Sequence, residues 1–173
     1  MRVAWAAFAI LVVAGCAPRP GDEPAGLPGT LGARRAIWAE VRALSAERDL
    51  EPGFVYALVQ VESGFNPRAR RGDARGLLQL KPKVWASVSV APYDKAVWDW
   101  RENLRAGSDY LAAMRRRLAA RGHFSYRLLW AVYHHGYDYV EARGFDMERI
   151  PRPSDPVSFK LYSGDLNPVA PPK

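Results

Sequence analysis

Apolar residues return at three- and four-residue intervals in stretch after stretch of this chain, and that period limits its fold more than any other feature. Ile37, Val41 and Leu44 fall on one side of a helical turn, as do Phe54, Leu58 and Val61. Leu104, Leu111 and Leu118 share a broad face with Gly107 and Met114, and Tyr126, Leu129, Trp130 and Tyr133 repeat in the same way. A helix gathers such positions into one stripe that must be buried. No β-branched alternating run of useful length competes, so the predicted class is all-α. The 173 residues suit about one domain, and 49% of them are apolar, enough for a packed core.

Punctuation residues set the predicted boundaries. A first helix is expected over residues 31 to 48, and Pro52 can open a second that runs to about Ser63. Gly64 ends it, and Asn66-Pro67 confirms the break. A loop rich in Gly and Arg fills Arg68 to Arg75, and Pro82 opens a short helix carrying Val84, Trp85 and Val88. The longest helix is expected from Trp98 to Ala120, stopped by Gly122, and a last one ends near Gly136. The domain is thus predicted over residues 31–150.

Both ends read differently. Arg2 followed by the uncharged stretch Val3 to Ala14 is too short for a spanning helix and fits a secretory leader, residues 1–15. Val13-Ala14-Gly15-Cys16 resembles the lipobox of bacterial lipoproteins, which implies cleavage before Cys16 and acylation of that residue. Ala17 after the cysteine implies, by the same resemblance, an outer-membrane destination in the cell envelope. Residues 16–30, with Pro18, Pro20, Pro24 and Pro28 among glycines, read as a tether. Residues 151–173 form a second proline-rich tail in which only Val157 to Tyr162 is apolar enough to pack. A single cysteine excludes an internal disulfide framework and the Cys-rich zinc sites.

Glu62 is the polar residue least expected where it stands. It continues a stripe made by Val55 and Val59, and Phe65 follows it. Burial and the C-terminal end of a helix dipole both disfavour a carboxylate, so its pKa is predicted to rise. A carboxyl that stays protonated near neutrality is what general-acid cleavage of a glycosidic bond requires. By pattern alone, a glutamate at a structural boundary is the favoured reading.

Four ordered blocks extend the reading. Val61-Glu62-Ser63-Gly64-Phe65-Asn66-Pro67-Arg68-Ala69, Gly76-Leu77-Leu78-Gln79-Leu80-Lys81-Pro82, Asn103-Leu104 with Gly107 and Tyr110-Leu111, and Val132-Tyr133-His134-His135-Gly136 resemble the catalytic core of the soluble lytic transglycosylase family. The resemblance implies a goose-type lysozyme fold and cleavage of the β-1,4 bond between N-acetylmuramic acid and N-acetylglucosamine in peptidoglycan. It implies Glu62 as the acid, and then as the base that draws the proton from the muramoyl C6 hydroxyl, leaving a 1,6-anhydro end. Ser63 is implied to contact the carboxylate or a nearby sugar. Gln79, Tyr133 and His134 are implied to line the groove, with the Tyr133 hydroxyl in reach of the acid. Gly76 is expected to allow a close backbone approach.

The chain departs from the family pattern at His134, where Asn is usual, and in a shortened loop between Ala69 and Gly76 that holds Arg70-Arg71-Gly72-Asp73. His134 is expected to bring pH sensitivity near neutrality. Asp73 and Asp49 are the candidates for a second carboxylate, with nothing in their spacing to set them opposite Glu62. The net charge of +7, from 25 Lys+Arg against 18 Asp+Glu, includes the runs Arg68-Arg70-Arg71 and Arg115-Arg116-Arg117. A solvated face or attraction to an anionic wall or lipid surface explains them, and nucleic acid is not expected to be a partner of a secreted chain. Trp98-Asp99-Trp100 is the expected exposed stacking segment, while Trp130 belongs to the core. His123, His134 and His135 make no convincing metal set, so neither metal nor organic cofactor is expected. The expected partners are glycan strands and, through lipidated Cys16, a membrane, for a monomer. A muramidase using water and a noncatalytic wall-binding lipoprotein are the alternatives.

Overall fold

The computed structural model describes residues 29–173. The leader, Cys16 and the tether up to residue 28 lie outside the described residues. The element order is α1 (Leu31–Arg48), α2 (Pro52–Ser63), β1 (Arg70–Arg71), β2 (Ala74–Arg75), α3 (Pro82–Ala86), α4 (Tyr93–Ala96), α5 (Trp100–Ala120), α6 (Tyr126–His135), α7 (Tyr137–Glu141), a 3-10 turn at Met147–Arg149, and α8 (Pro156–Ser163). The mostly helical class matches the sequence reading. The only sheet among the described residues is the small antiparallel hairpin β1–β2, with Arg70 opposite Arg75 and Arg71 opposite Ala74.

Side-chain chemistry explains where the helices begin and end. Thr30 caps α1 through the Ala33 N–H at 3.4 Å. α1 then buries Ala33, Ile37, Val41 and Leu44 and stops where Asp49 takes a left-handed conformation. α2 opens with Pro52 in its first turn and buries every residue from Gly53 to Val59, the signature of a helix surrounded by protein. Gly64, at φ 58°, ends it one residue after Ser63. The Asp99 carboxylate accepts from the N–H groups of Arg101 and Glu102, so α5 starts at Trp100, two residues later than the apolar pattern indicates. Ser125 caps α6 through the Leu128 N–H.

α1 packs against α2 and α5, and α6 packs against α5, α7 and α8. α7 begins directly after Gly136, so the chain bends there and stays helical, a continuation that the glycine concealed. No helix among the described residues is long and apolar enough to cross a membrane.

The proline-rich tail is part of the packed body. α8 lies against α2 and α6, and Leu161, Tyr162 and Val169 are buried. The Tyr162 hydroxyl donates to the Met147 carbonyl at 2.9 Å, and the Arg127 guanidinium donates to the Tyr162 carbonyl at 2.9 Å. Beyond α8 the chain crosses Gly53 so closely that a Cβ there would stand 2.6 Å from the Leu166 carbonyl oxygen and 2.0 Å from Asn167 Oδ1. Alanine ordinarily favours a helix over glycine. Gly53→Ala is nevertheless expected to destabilise the protein by about 2 kcal/mol, because a backbone carbonyl has to move. Thermal unfolding measures this, and an unchanged or raised midpoint would mean that the tail does not rest on α2.

Candidate active site

The tryptophans do not form the expected exposed platform. Trp85, Trp100 and Trp130 are buried, and Asp99 is committed to capping α5. Trp98 is half-buried, with the Arg75 and Arg68 guanidinium groups 5.7 and 6.0 Å from its ring centre. This corrects the reading of Trp98-Asp99-Trp100 as a stacking segment. Its first tryptophan anchors the hairpin region and its last belongs to the core.

A cavity of about 560 Å³ opens instead at the C-terminal end of α2, where Glu62 forms part of its wall. The hairpin turn contributes Arg71 and Asp73, the following segment Gln79 and Lys81, and α5 and α6 contribute Tyr110, Tyr133 and His134. Residues far apart in sequence meet here because α2, α5 and α6 all end or pass beside the hairpin.

Glu62 occupies the last turn of α2, and its side chain is 11% exposed. Burial raises its pKa from 4.5 to about 6, against a smaller lowering by the Arg71 guanidinium. That guanidinium is 3.7 Å from Glu62 Oε2 and is itself 70% exposed, a geometry that contributes little stability. Glu62 stands at the C-terminal end of the helix dipole, which also favours the neutral form.

Asn103 builds the loop opposite. Fully buried in α5, it accepts from the Leu78 N–H at 2.9 Å and donates to the carbonyls of Arg75 and Val97, each at 3.1 Å. Gly76, at φ 78°, passes so close that a Cβ would be 2.3 Å from Asn103 Nδ2, so the close approach expected of this glycine is made to α5. Gly107 likewise leaves room for Leu78. The sequence blocks contained Asn103, but its role was hidden because its partners are backbone groups.

Gln79 sits in the left-handed region, at φ 44°, an unfavourable place for a residue with a side chain. Its amide nitrogen donates to the carbonyls of Ala69 at 3.0 Å and Gly76 at 2.9 Å. Both donors are therefore used, and Oε1 is left buried without a protein partner. Gln79 lines the cavity, although this oxygen itself is closed to solvent.

The remaining sequence candidates divide. The Tyr133 hydroxyl donates to the Leu78 carbonyl at 2.5 Å instead of to Glu62, which ties α6 to the loop that carries Gln79. Burial holds its pKa well above 10, with smaller contributions in the same direction from Glu62 and Tyr110. His134 stacks on Trp130, with ring centres 5.3 Å apart and planes within 10°. Burial and Arg71 lower its pKa from 6.5, so its protonation moves to lower pH, away from the neutral range anticipated. The Ser63 hydroxyl donates to the Val59 carbonyl at 2.9 Å, a helix-end contact, and Ser63 is absent from the cavity lining. Asp49 pairs with Arg115 away from the cavity, whereas Asp73 lies on its wall. No cluster of His, Cys, Asp and Glu suited to a metal occurs among the described residues.

The site thus sets one sheltered carboxyl on the wall of a groove in a small helical domain. Residues 40–142 match the transglycosylase SLT domain, and the chain belongs to that family. It is 35% identical over 100 residues to the transglycosylase of Enterobacteria phage PRD1, covering 57% of this chain and 34% of the phage protein. It is 30% identical over 84 residues to the endo-type membrane-bound lytic murein transglycosylase A of Salmonella paratyphi B, covering 47% of this chain and 41% of the relative. The chain thus spans less than half the length of either. A solved structure of an inactive mutant of lytic transglycosylase Slt from Pseudomonas aeruginosa shares the fold, with a TM-score of 0.52 at 20% identity over 76% of this chain and 20% of that one.

Proposed function

We propose that this protein is a peptidoglycan lytic transglycosylase with Glu62 as its single acid and base. The observation that carries the reading is a carboxyl 11% exposed, with its pKa raised to about 6, on the wall of a groove large enough for sugars. Protonated Glu62 donates to the glycosidic oxygen between N-acetylmuramic acid and N-acetylglucosamine as that bond breaks. The resulting carboxylate then takes the proton of the muramoyl C6 hydroxyl, whose oxygen closes on C1. The proton is restored to Glu62, and the product carries a 1,6-anhydro end. An internal hydroxyl already held beside C1 gains the advantage of intramolecular geometry over a water.

Gln79 supports this reading as a cavity-lining residue whose amide oxygen has no protein partner. The Tyr133 bond to Leu78 supports it by fixing the loop on which Gln79 stands. The Salmonella relative is named as membrane-bound, which supports a place in the cell envelope. Attachment through acylated Cys16 is the corresponding proposal for the N-terminal end.

Asp73 favours one second reading. It lines the same cavity, and a carboxylate there is placed to activate water in a muramidase, since common glycosidases need a second carboxyl. Against this, the charge that acts on Glu62 is that of Arg71. Digestion of purified sacculi, with mass analysis of the released fragments, separates the readings. Fragments lighter by one water than the hydrolysed muropeptides are expected, and hydrolysed ends alone would overturn the lyase assignment.

A further inference from the structure

The hairpin turn sets a loosely held cation over the acid. Arg71 Nη1 is 3.7 Å from Glu62 Oε2, and its Nη2 donates to the Glu62 carbonyl at 3.4 Å, both long contacts. Its side chain is 70% exposed, so solvent already competes for the guanidinium. Its field also reaches His134 on the facing wall, and the exposed ammonium of Lys81 stands on the same cavity. Among the described residues no second carboxylate pairs with this guanidinium, Asp73, its neighbour but one, included.

Resting on the proposed glycan substrate, we infer that Arg71 is a specificity residue that exchanges its weak contact with Glu62 for a carboxylate carried by the bound glycan strand. Peptidoglycan offers that chemistry in two places, the lactyl carboxylate of muramic acid where stems have been removed, and the free carboxylates of the peptide stems. A guanidinium binds a carboxylate in a planar two-pronged geometry that an ammonium does not reproduce. The exchange also serves the chemistry. When Arg71 turns to the ligand, the one positive charge that stabilises ionised Glu62 is neutralised, and the carboxyl is left with burial alone, which favours its proton-bearing form. Recognition of a charged strand then prepares the acid for that strand.

The test compares glycan strands with free carboxylates against the same strands capped as methylamides, once with stems removed and once with stems intact. For the wild-type protein kcat/KM is expected to be about 10-fold higher on the free-acid form of at least one pair, the range for a charge-assisted contact at a partly open site. Arg71→Gln is expected to bring that ratio close to one, and Arg71→Lys to keep part of it. The pair whose ratio collapses identifies the lactyl or the stem carboxylate as the ligand. Equal wild-type rates on free and capped strands, or a ratio that survives Arg71→Gln, would overturn the inference and leave the lyase reading standing. Wild-type protein that cleaves none of the strands would overturn both.

Discussion

Glu62→Gln is expected to abolish release of soluble fragments while making the protein more stable. The amide matches the carboxyl in size but has no proton to give, and general-acid catalysis of this kind is worth about 100- to 10,000-fold in rate. The groove remains, so sedimentation with sacculi should persist. The stability change follows from linkage. Folded Glu62 has a pKa of about 6 against 4.5 for the free side chain, so the folded chain holds a proton that the unfolded chain has released between those values. The contribution is most favourable below pH 4.5 and falls as pH rises through about 6, by about 2 kcal/mol in all. At pH 7.5 the Gln variant escapes that loss and should melt several degrees higher, and at pH 4 the two should melt together. A variant that still releases fragments, or one less stable at pH 7.5, would contradict the assignment.

Asn103→Ala is expected to cost about 4 kcal/mol, from two buried backbone groups left without partners at roughly 1 to 3 kcal/mol each. The orphaned groups would be the Leu78 N–H and the Val97 carbonyl, since the Arg75 carbonyl keeps the Leu80 N–H at 3.0 Å. Urea unfolding measures the loss. Any protein that remains folded should also cleave poorly, because Gln79 stands on the loop that Asn103 holds. Asn103→Asp keeps the acceptor for Leu78 but loses both donors and buries a charge, so it should not rescue either property. A loss below about 1 kcal/mol would mean that the loop is held by other contacts.

The helices were legible because their stripes and caps are local. Ile37, Val41 and Leu44 marked α1, and Pro52 and Gly64 marked the ends of α2. Glu62 was legible for a related reason, as a polar residue continuing an apolar stripe. What escaped was set by partners distant in sequence. In the tail only Val157 to Tyr162 read as apolar enough to pack, because prolines obscured its period, yet Val169 is buried as well. Trp100 looked exposed beside a charged neighbour until Asp99 turned out to cap the helix that buries it. The Tyr133 hydroxyl was expected to reach the acid, but the nearest strong acceptor in the fold is the Leu78 carbonyl. Arg71 read only as part of a basic run and Asp73 as a candidate carboxylate with no set position, since only the hairpin brings their turn to the cavity.

The central claim is that the Glu62 carboxyl retains its proton to unusually high pH because the fold shelters it. Carbon-13 NMR of the side-chain carboxyls, with Glu62 assigned by its absence from Glu62→Gln, follows that proton directly. A midpoint near pH 6 is expected. A midpoint at or below 4.5, the value of a free glutamate, would contradict the account.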